Sequence, residues 1–122
     1  NHIRTLDNLG NLGGIVEHDQ KVLDSFKALY PNADCFTRLD DAMKYGFDGF
    51  TVATPAESHF EIARKIIESG HHVLVEKPIT MNSADALRLH ELSMKNRVNL
   101  MVGHVLLFHP AFQKIKDLIE DF

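Results

Sequence analysis

The chain has 122 residues, 44% hydrophobic and 25% charged, the balance of a single globular domain. Its formal net charge of -4 gives no basic footprint for nucleic acid, and no apolar run approaches the ~18 residues of a membrane span. One cysteine, Cys35, excludes an internal disulfide framework and a cysteine-rich zinc site. The opening Asn1-His2-Ile3-Arg4 shows neither an initiator Met nor a signal-peptide pattern. A cytoplasmic setting is expected, and the chain reads as a fragment.

Residues 1 to 9 read as the end of a helix, with Ile3, Leu6 and Leu9 recurring every three residues and Gly10 suited to the C′ position. Leu12 to Glu17 reads as a strand. A helix is predicted from Asp19, its N-cap, to Tyr30, with Val22, Leu23, Phe26 and Leu29 on one face and Pro31 stopping it. Asp34 to Thr37 is a short strand. Thr37-Arg38-Leu39-Asp40 resembles a capping box and opens a short helix to Tyr45.

Asp48 to Thr54 reads as a buried strand. Thr54-Pro55-Ala56-Glu57 has the pattern of a helix start, with Thr as N-cap, Pro at N1 and Glu at N3. Phe60, Ile62, Ala63, Ile66 and Ile67 form the apolar face of that helix, and Gly70 ends it. His72 to Glu76 is the next strand. Asn82 caps a helix to Lys95, and Val98 to Gly103 is the last strand. Pro110 starts a closing helix with Phe112, Ile115, Leu118 and Ile119 expected inside. Strands joined by crossover helices lie parallel, so the fold class is α/β, a doubly wound parallel sheet of the Rossmann type. Ligands of such sheets bind at the carboxyl ends of the strands.

Those ends offer Glu17, Thr54-Pro55, Glu76-Lys77-Pro78 and His104. An acid at the position of Glu17 can accept hydrogen bonds from a ribose 2′-OH and repel a 2′-phosphate. That favours NAD over NADP. A solvated loop acid is the plainer reading of the same residue. The glycine fingerprint belongs about 20 residues before that acid, which falls outside this chain. Gly10, Gly13 and Gly14 are a decoy: they precede and enter a strand, whereas the fingerprint follows one. Gly13 and Gly14 are expected to allow close backbone packing. In Glu76-Lys77-Pro78 a buried run delivers a carboxylate, an amine and a proline in succession. The amine could hold a sugar hydroxyl or assist its deprotonation; the alternative is a surface Glu-Lys pair before a turn proline. The eight histidines form no expected metal site. His71 and His72 point to opposite faces of a strand, and no helical register joins His104 to His109.

The run TVATPAESHFEIARKIIESGHHVLVEKPIT resembles the glucose-fructose oxidoreductase / inositol dehydrogenase (Gfo/Idh/MocA) family. The matching elements are Thr54-Pro55 at a strand end, His59 early in the next helix, and Glu76-Lys77-Pro78. The resemblance covers essentially the whole chain. It implies an NAD(P)-binding domain of an oxidoreductase that passes a hydride between nicotinamide and a hydroxyl-bearing carbon of a sugar, cyclitol or nucleotide sugar. Lys77 inherits the catalytic role beside the nicotinamide ribose. Glu17, Thr54, Pro55, Glu76, Lys77 and Pro78 inherit contact with the cofactor, and His104 faces nicotinamide or sugar. The tail MVGHVLLFHPAFQKIKDLI looks most like members acting on nucleotide sugars, although Leu107 stands where many relatives carry Arg. The resemblance also implies a homo-oligomer. The family's first strand, its glycine loop and its C-terminal α/β domain have no counterpart in residues 1–122, so two strand edges are expected to lack partners. A non-catalytic dinucleotide-binding regulator on the same scaffold, or a free-standing interaction module, are the competing readings.

Overall fold

The computed structural model describes residues 1–120, so the last two positions of the expected 1–122 unit lie outside the described residues. In chain order the elements are α1 (His2–Asn8), β1 (Gly14–Val16), α2 (Gln20–Leu29), β2 (Asp34–Phe36), α3 (Leu39–Ala42), β3 (Gly49–Val52), a 3₁₀ turn (Ala56–Ser58) and α4 (His59–Glu68). Then follow β4 (His72–Val75), α5 (Ser83–Asn96), β5 (Leu100–Val102), a second 3₁₀ turn (Val105–Phe108) and α6 (Pro110–Glu120). Local chemistry sets most of the boundaries. The Asp19 carboxylate accepts from the N–H groups of Lys21 and Val22, and the Asn82 side chain accepts from Asp85 N–H. Both satisfy main-chain donors that a helix start leaves open. After α1 and α4 the backbone turns through Gly10 at φ +69° and Gly70 at φ +81°, where a Cβ would be strained.

Every strand pair is parallel, as helix-linked strands require. The strands form two separate sheets, β1-β2 and β3-β4-β5. In the first, Ile15 stands opposite Cys35; in the second, Thr51 faces Leu74 and Leu74 faces Met101. Each sheet has its own core. Ile15, Leu23 and Ala33 are buried under the first. Val52, Ala63, Ile66, Ile67, Val73, Val75 and Leu89 are buried between the second and helices α4 and α5. A chain of rings bridges the two. Phe36 meets Tyr45 at 4.8 Å, Tyr45 stacks on Phe47 at 5.9 Å, and Phe47 meets Phe50 at 6.0 Å.

Between the sheets lies a groove of about 1460 Å³. Asp34 N–H donates to Gly13 and Glu17 N–H donates to Phe36, so the intervening Gly14 and Val16 turn their main-chain groups away from β2. By the same alternation, bonds at Asp48 and Val52 toward β4 leave Gly49 and Thr51 facing the other way. All four line the groove. The two expected unpartnered edges are therefore those of β1 and β3, and they face one another.

Several local expectations are corrected. Gly13 makes room for a side chain and not for backbone, since a Cβ there would lie 2.7 Å from the Phe47 ring; at Gly14 a Cβ would meet both that ring at 2.9 Å and the Asp34 main-chain oxygen of β2 at 3.1 Å, so the expected close backbone packing holds there. Thr37 caps nothing; Arg38 occupies the N-cap of α3 without a side-chain bond to the helix N–H groups. Thr54 does not cap α4, because a 3₁₀ turn intervenes and the helix begins five residues later at His59. On α2, Leu23 is buried but Leu29 is 69% exposed, since the short β1-β2 sheet does not extend under the last turn. The apolar face of α6 is open: Phe112, Ile115, Leu118 and Ile119 are all exposed. That helix packs chiefly on the Val105–Phe108 turn, which carries it off the sheet. Among the described residues no helix is long and apolar enough to cross a membrane.

Candidate active site

The carboxyl ends of β1, β3, β4 and β5 deliver Glu17, Thr54-Pro55, Glu76-Lys77-Pro78 and His104, all at one end of the parallel strands. The groove brings Glu17, Thr54 and Pro55 together on its lining. Lys77 and His104 are not part of that lining, although His72, Val73 and Leu74 of β4 and Met101 of β5 are.

Glu17 is partly buried. Its Oε1 accepts from Asp19 N–H at 3.0 Å and lies 2.9 Å from the exposed His18 Nδ1. One oxygen is thus engaged locally, while Oε2 has no partner among the described residues. Thr54 and Pro55 are exposed, and the Ser58 hydroxyl lies 2.7 Å from both Thr54 Oγ1 and the Pro55 carbonyl. This tie takes the place of the expected threonine cap.

Glu76 continues β4 past its last paired residue, and its N–H donates to Val52 at 2.9 Å. Its carboxylate is held from two sides. Oε1 lies 2.6 Å from His2 Nε2 at the start of α1, and Oε2 accepts Lys77 N–H at 3.1 Å. The histidine bond first, and the main-chain bond second, hold the Glu76 carboxyl below its ordinary value. Gly103 at the end of β5 closes the other side; a Cβ there would lie 3.2 Å from the carboxyl carbon. The histidine–carboxylate bond joins residues 74 apart, a contact no local pattern could have announced.

The Lys77–Pro78 peptide is cis. Lys77 is exposed, and its ammonium makes no ion pair with a described residue. His104 is likewise exposed; its main-chain N–H donates to Val102 at 2.7 Å and its ring has no hydrogen-bond partner among the described residues. Lys77 and His104 therefore present free polar groups beside strand ends.

His59 supplies what sequence reasoning left without a role. It is 1% exposed, and its ring lies between two carbonyl groups. Nδ1 is 2.7 Å from the Pro78 oxygen and Nε2 is 2.8 Å from the Thr54 oxygen. Among the described residues no three histidine, cysteine or acidic side chains gather as a metal site.

A nicotinamide dinucleotide is compatible with these residues in chemical type: one Glu17 carboxylate oxygen has no partner among the described residues, and the groove beside it is open between two strand ends. Comparison with known proteins gives a consistent picture. The chain is 29% identical to the inositol 2-dehydrogenase of Corynebacterium glutamicum (strain R), covering 98% of this chain and 37% of that protein. It is 32% identical to the UDP-N-acetylglucosamine 3-dehydrogenase of Acidithiobacillus ferrooxidans over 62% of this chain and 24% of that one. Among solved structures, the WlbA dehydrogenase of Bordetella pertussis, in complex with NADH and UDP-GlcNAcA, superposes with a TM-score of 0.90 at 27% identity. That match covers 98% of this chain and 36% of the other. The matches thus cover 24% to 37% of the length of these relatives. The model of the GFO_IDH_MocA family, described as an oxidoreductase family with an NAD-binding Rossmann fold, matches residues 1–104, and this chain belongs to that family.

Proposed function

We propose that this chain is the cofactor-domain part of an NAD-dependent oxidoreductase acting on a sugar, cyclitol or nucleotide-sugar hydroxyl. The observation that carries the reading is Lys77: an exposed amine with no ion-pair partner among the described residues, immediately after a buried parallel strand, on a backbone fixed on both sides. Glu17 would take the ribose hydroxyls through its free oxygen. Thr54 and Pro55 would line the cofactor cleft, with Glu76 and Pro78 fixing its floor. When bound, NAD supplies the hydride acceptor. Lys77 Nζ would hold the reacting hydroxyl while its proton passes through the amine to solvent water, and the hydrogen on the same carbon would leave as hydride, so that the C–O bond becomes a carbonyl. His104, at the end of the neighbouring strand, would face the sugar. The names of the Corynebacterium and Acidithiobacillus relatives support the cyclitol and nucleotide-sugar classes.

The test is oxidation of inositol and of UDP-N-acetylglucosamine by the full-length protein, followed by absorbance of reduced nicotinamide with NAD or NADP supplied. Turnover with one of these classes, faster with NAD, is expected. Tight NAD binding without turnover of any sugar, cyclitol or nucleotide sugar would favour a dinucleotide-binding regulator instead.

A further inference from the structure

Past the ends of β3 and β4 the sheet ladder stops, and two carbonyl groups, those of Thr54 and Pro78, receive no main-chain N–H among the described residues. Both point at the same ring. His59 lies between them at 2.8 Å and 2.7 Å. Its imidazole is 1% exposed, among the largest fully buried side chains of the molecule. The neighbouring core is aliphatic: Val52, Ala63 and Val75 are at most 3% exposed. An apolar residue of similar volume would fill that space. Ring nitrogens are needed only because two carbonyls face them, since buried polar groups require partners.

The two carbonyls belong to different loops. Thr54 ends the strand that borders the groove, and Pro78 directly follows Lys77. On the other side of Lys77, its own N–H is bonded to Glu76 Oε2 at 3.1 Å. The Lys77 backbone is therefore anchored before and after the residue, and His59 provides the second anchor while tying it to the cofactor-side loop.

We propose that His59 is a positioning residue: by bridging the Thr54 and Pro78 carbonyls it fixes Lys77 relative to the cofactor cleft. This rests on the catalytic reading of Lys77. The ring touches neither substrate nor cofactor; it acts through the loop that carries the amine. Misplacement of a reacting group by about 1 Å can cost about 100-fold in rate.

The experiment is a double-mutant cycle in the full-length protein. Variants are His59→Leu, which keeps bulk without a donor, and His59→Gln, which keeps an N–H donor, each made alone and on Lys77→Ala. Thermal melting accompanies steady-state kinetics with NAD and the sugar substrate. His59→Leu should lower kcat about 10- to 100-fold with a smaller change in the KM for NAD. His59→Gln should recover most of that loss. On the Lys77→Ala background neither change should reduce kcat further, because the residue through which His59 acts is gone. Losses that multiply across the two sites would overturn the proposal, as would a folded His59→Leu protein with normal kcat. Should His59→Leu not fold, the cycle is read from His59→Gln, and multiplication there overturns it equally. Failure of the underlying catalytic reading looks different: Lys77→Ala alone would then keep normal turnover.

Discussion

Replacing Glu76 by Gln keeps the size of the side chain and removes its charge from two hydrogen bonds. The carboxylate lies 2.6 Å from His2 Nε2 and accepts Lys77 N–H at 3.1 Å. Hydrogen bonds to a charged group contribute about 1.5–3 kcal/mol and neutral ones about 0.5–1.5 kcal/mol, so the substitution removes roughly 1–1.5 kcal/mol per bond at most. The partners are 33% and 29% exposed, which screens the charge and reduces the total to about 1 kcal/mol. The pH dependence has a definite sign. The folded state lowers this carboxyl below 4.5, so the charged form stabilises the fold above that value and ceases to as pH falls through the folded value. Urea midpoints of the wild-type and Glu76→Gln full-length proteins should therefore differ at neutral pH. The difference should begin to shrink below pH 4.5, where the unfolded chain's carboxyl takes up its proton, and be lost as the pH falls through the lower folded value. A difference that stays constant through the acid range would refute the reasoning. So would a Gln variant as stable as wild type at neutral pH.

Gly49→Ala should destabilise by about 1–2 kcal/mol, because its Cβ would lie 2.9 Å from the His72 carbonyl oxygen, a backbone atom of the neighbouring strand. Gly46→Ala meets nothing within 4 Å and should be neutral or stabilise by about 0.4–1 kcal/mol; the two denaturation curves, compared with wild type, check both. Glu17→Ala should weaken NAD about 10-fold while leaving NADP unchanged or improved, read as dissociation constants by titration. Equal weakening of both cofactors would remove Glu17 from the ribose site.

What the sequence made legible was local. Asp19, Asn82, Gly10 and Gly70 act where their chemistry predicts, because caps and left-handed turns depend on only a few neighbouring residues. The parallel strands also follow from spacing and connection, and their unpartnered edges from the family resemblance. The strand-end candidates could be named because topology alone points ligands to those ends, and the structure places them at one end of the parallel strands. The missed features depend on distant partners. His2 reaches Glu76 across 74 positions, and His59 reaches Pro78 across 19. Gly13 and Gly14 both answer to Phe47, more than 30 residues away, so the expectation of close backbone packing holds only at Gly14, beside the Asp34 oxygen. The apolar period of α6 gave the right element and the wrong burial, since periodicity names a face without naming what covers it.

Lys77→Ala in the full-length protein, with turnover and thermal melting measured on one preparation, bears most directly on the role of this chain. Lys77 is exposed and outside both cores, so the melting temperature should change little. Turnover should fall about 10²–10⁴-fold, the span of positioned acid-base assistance. A folded variant with near-normal turnover would contradict the catalytic role, and loss of the fold would make Lys77 a structural residue instead.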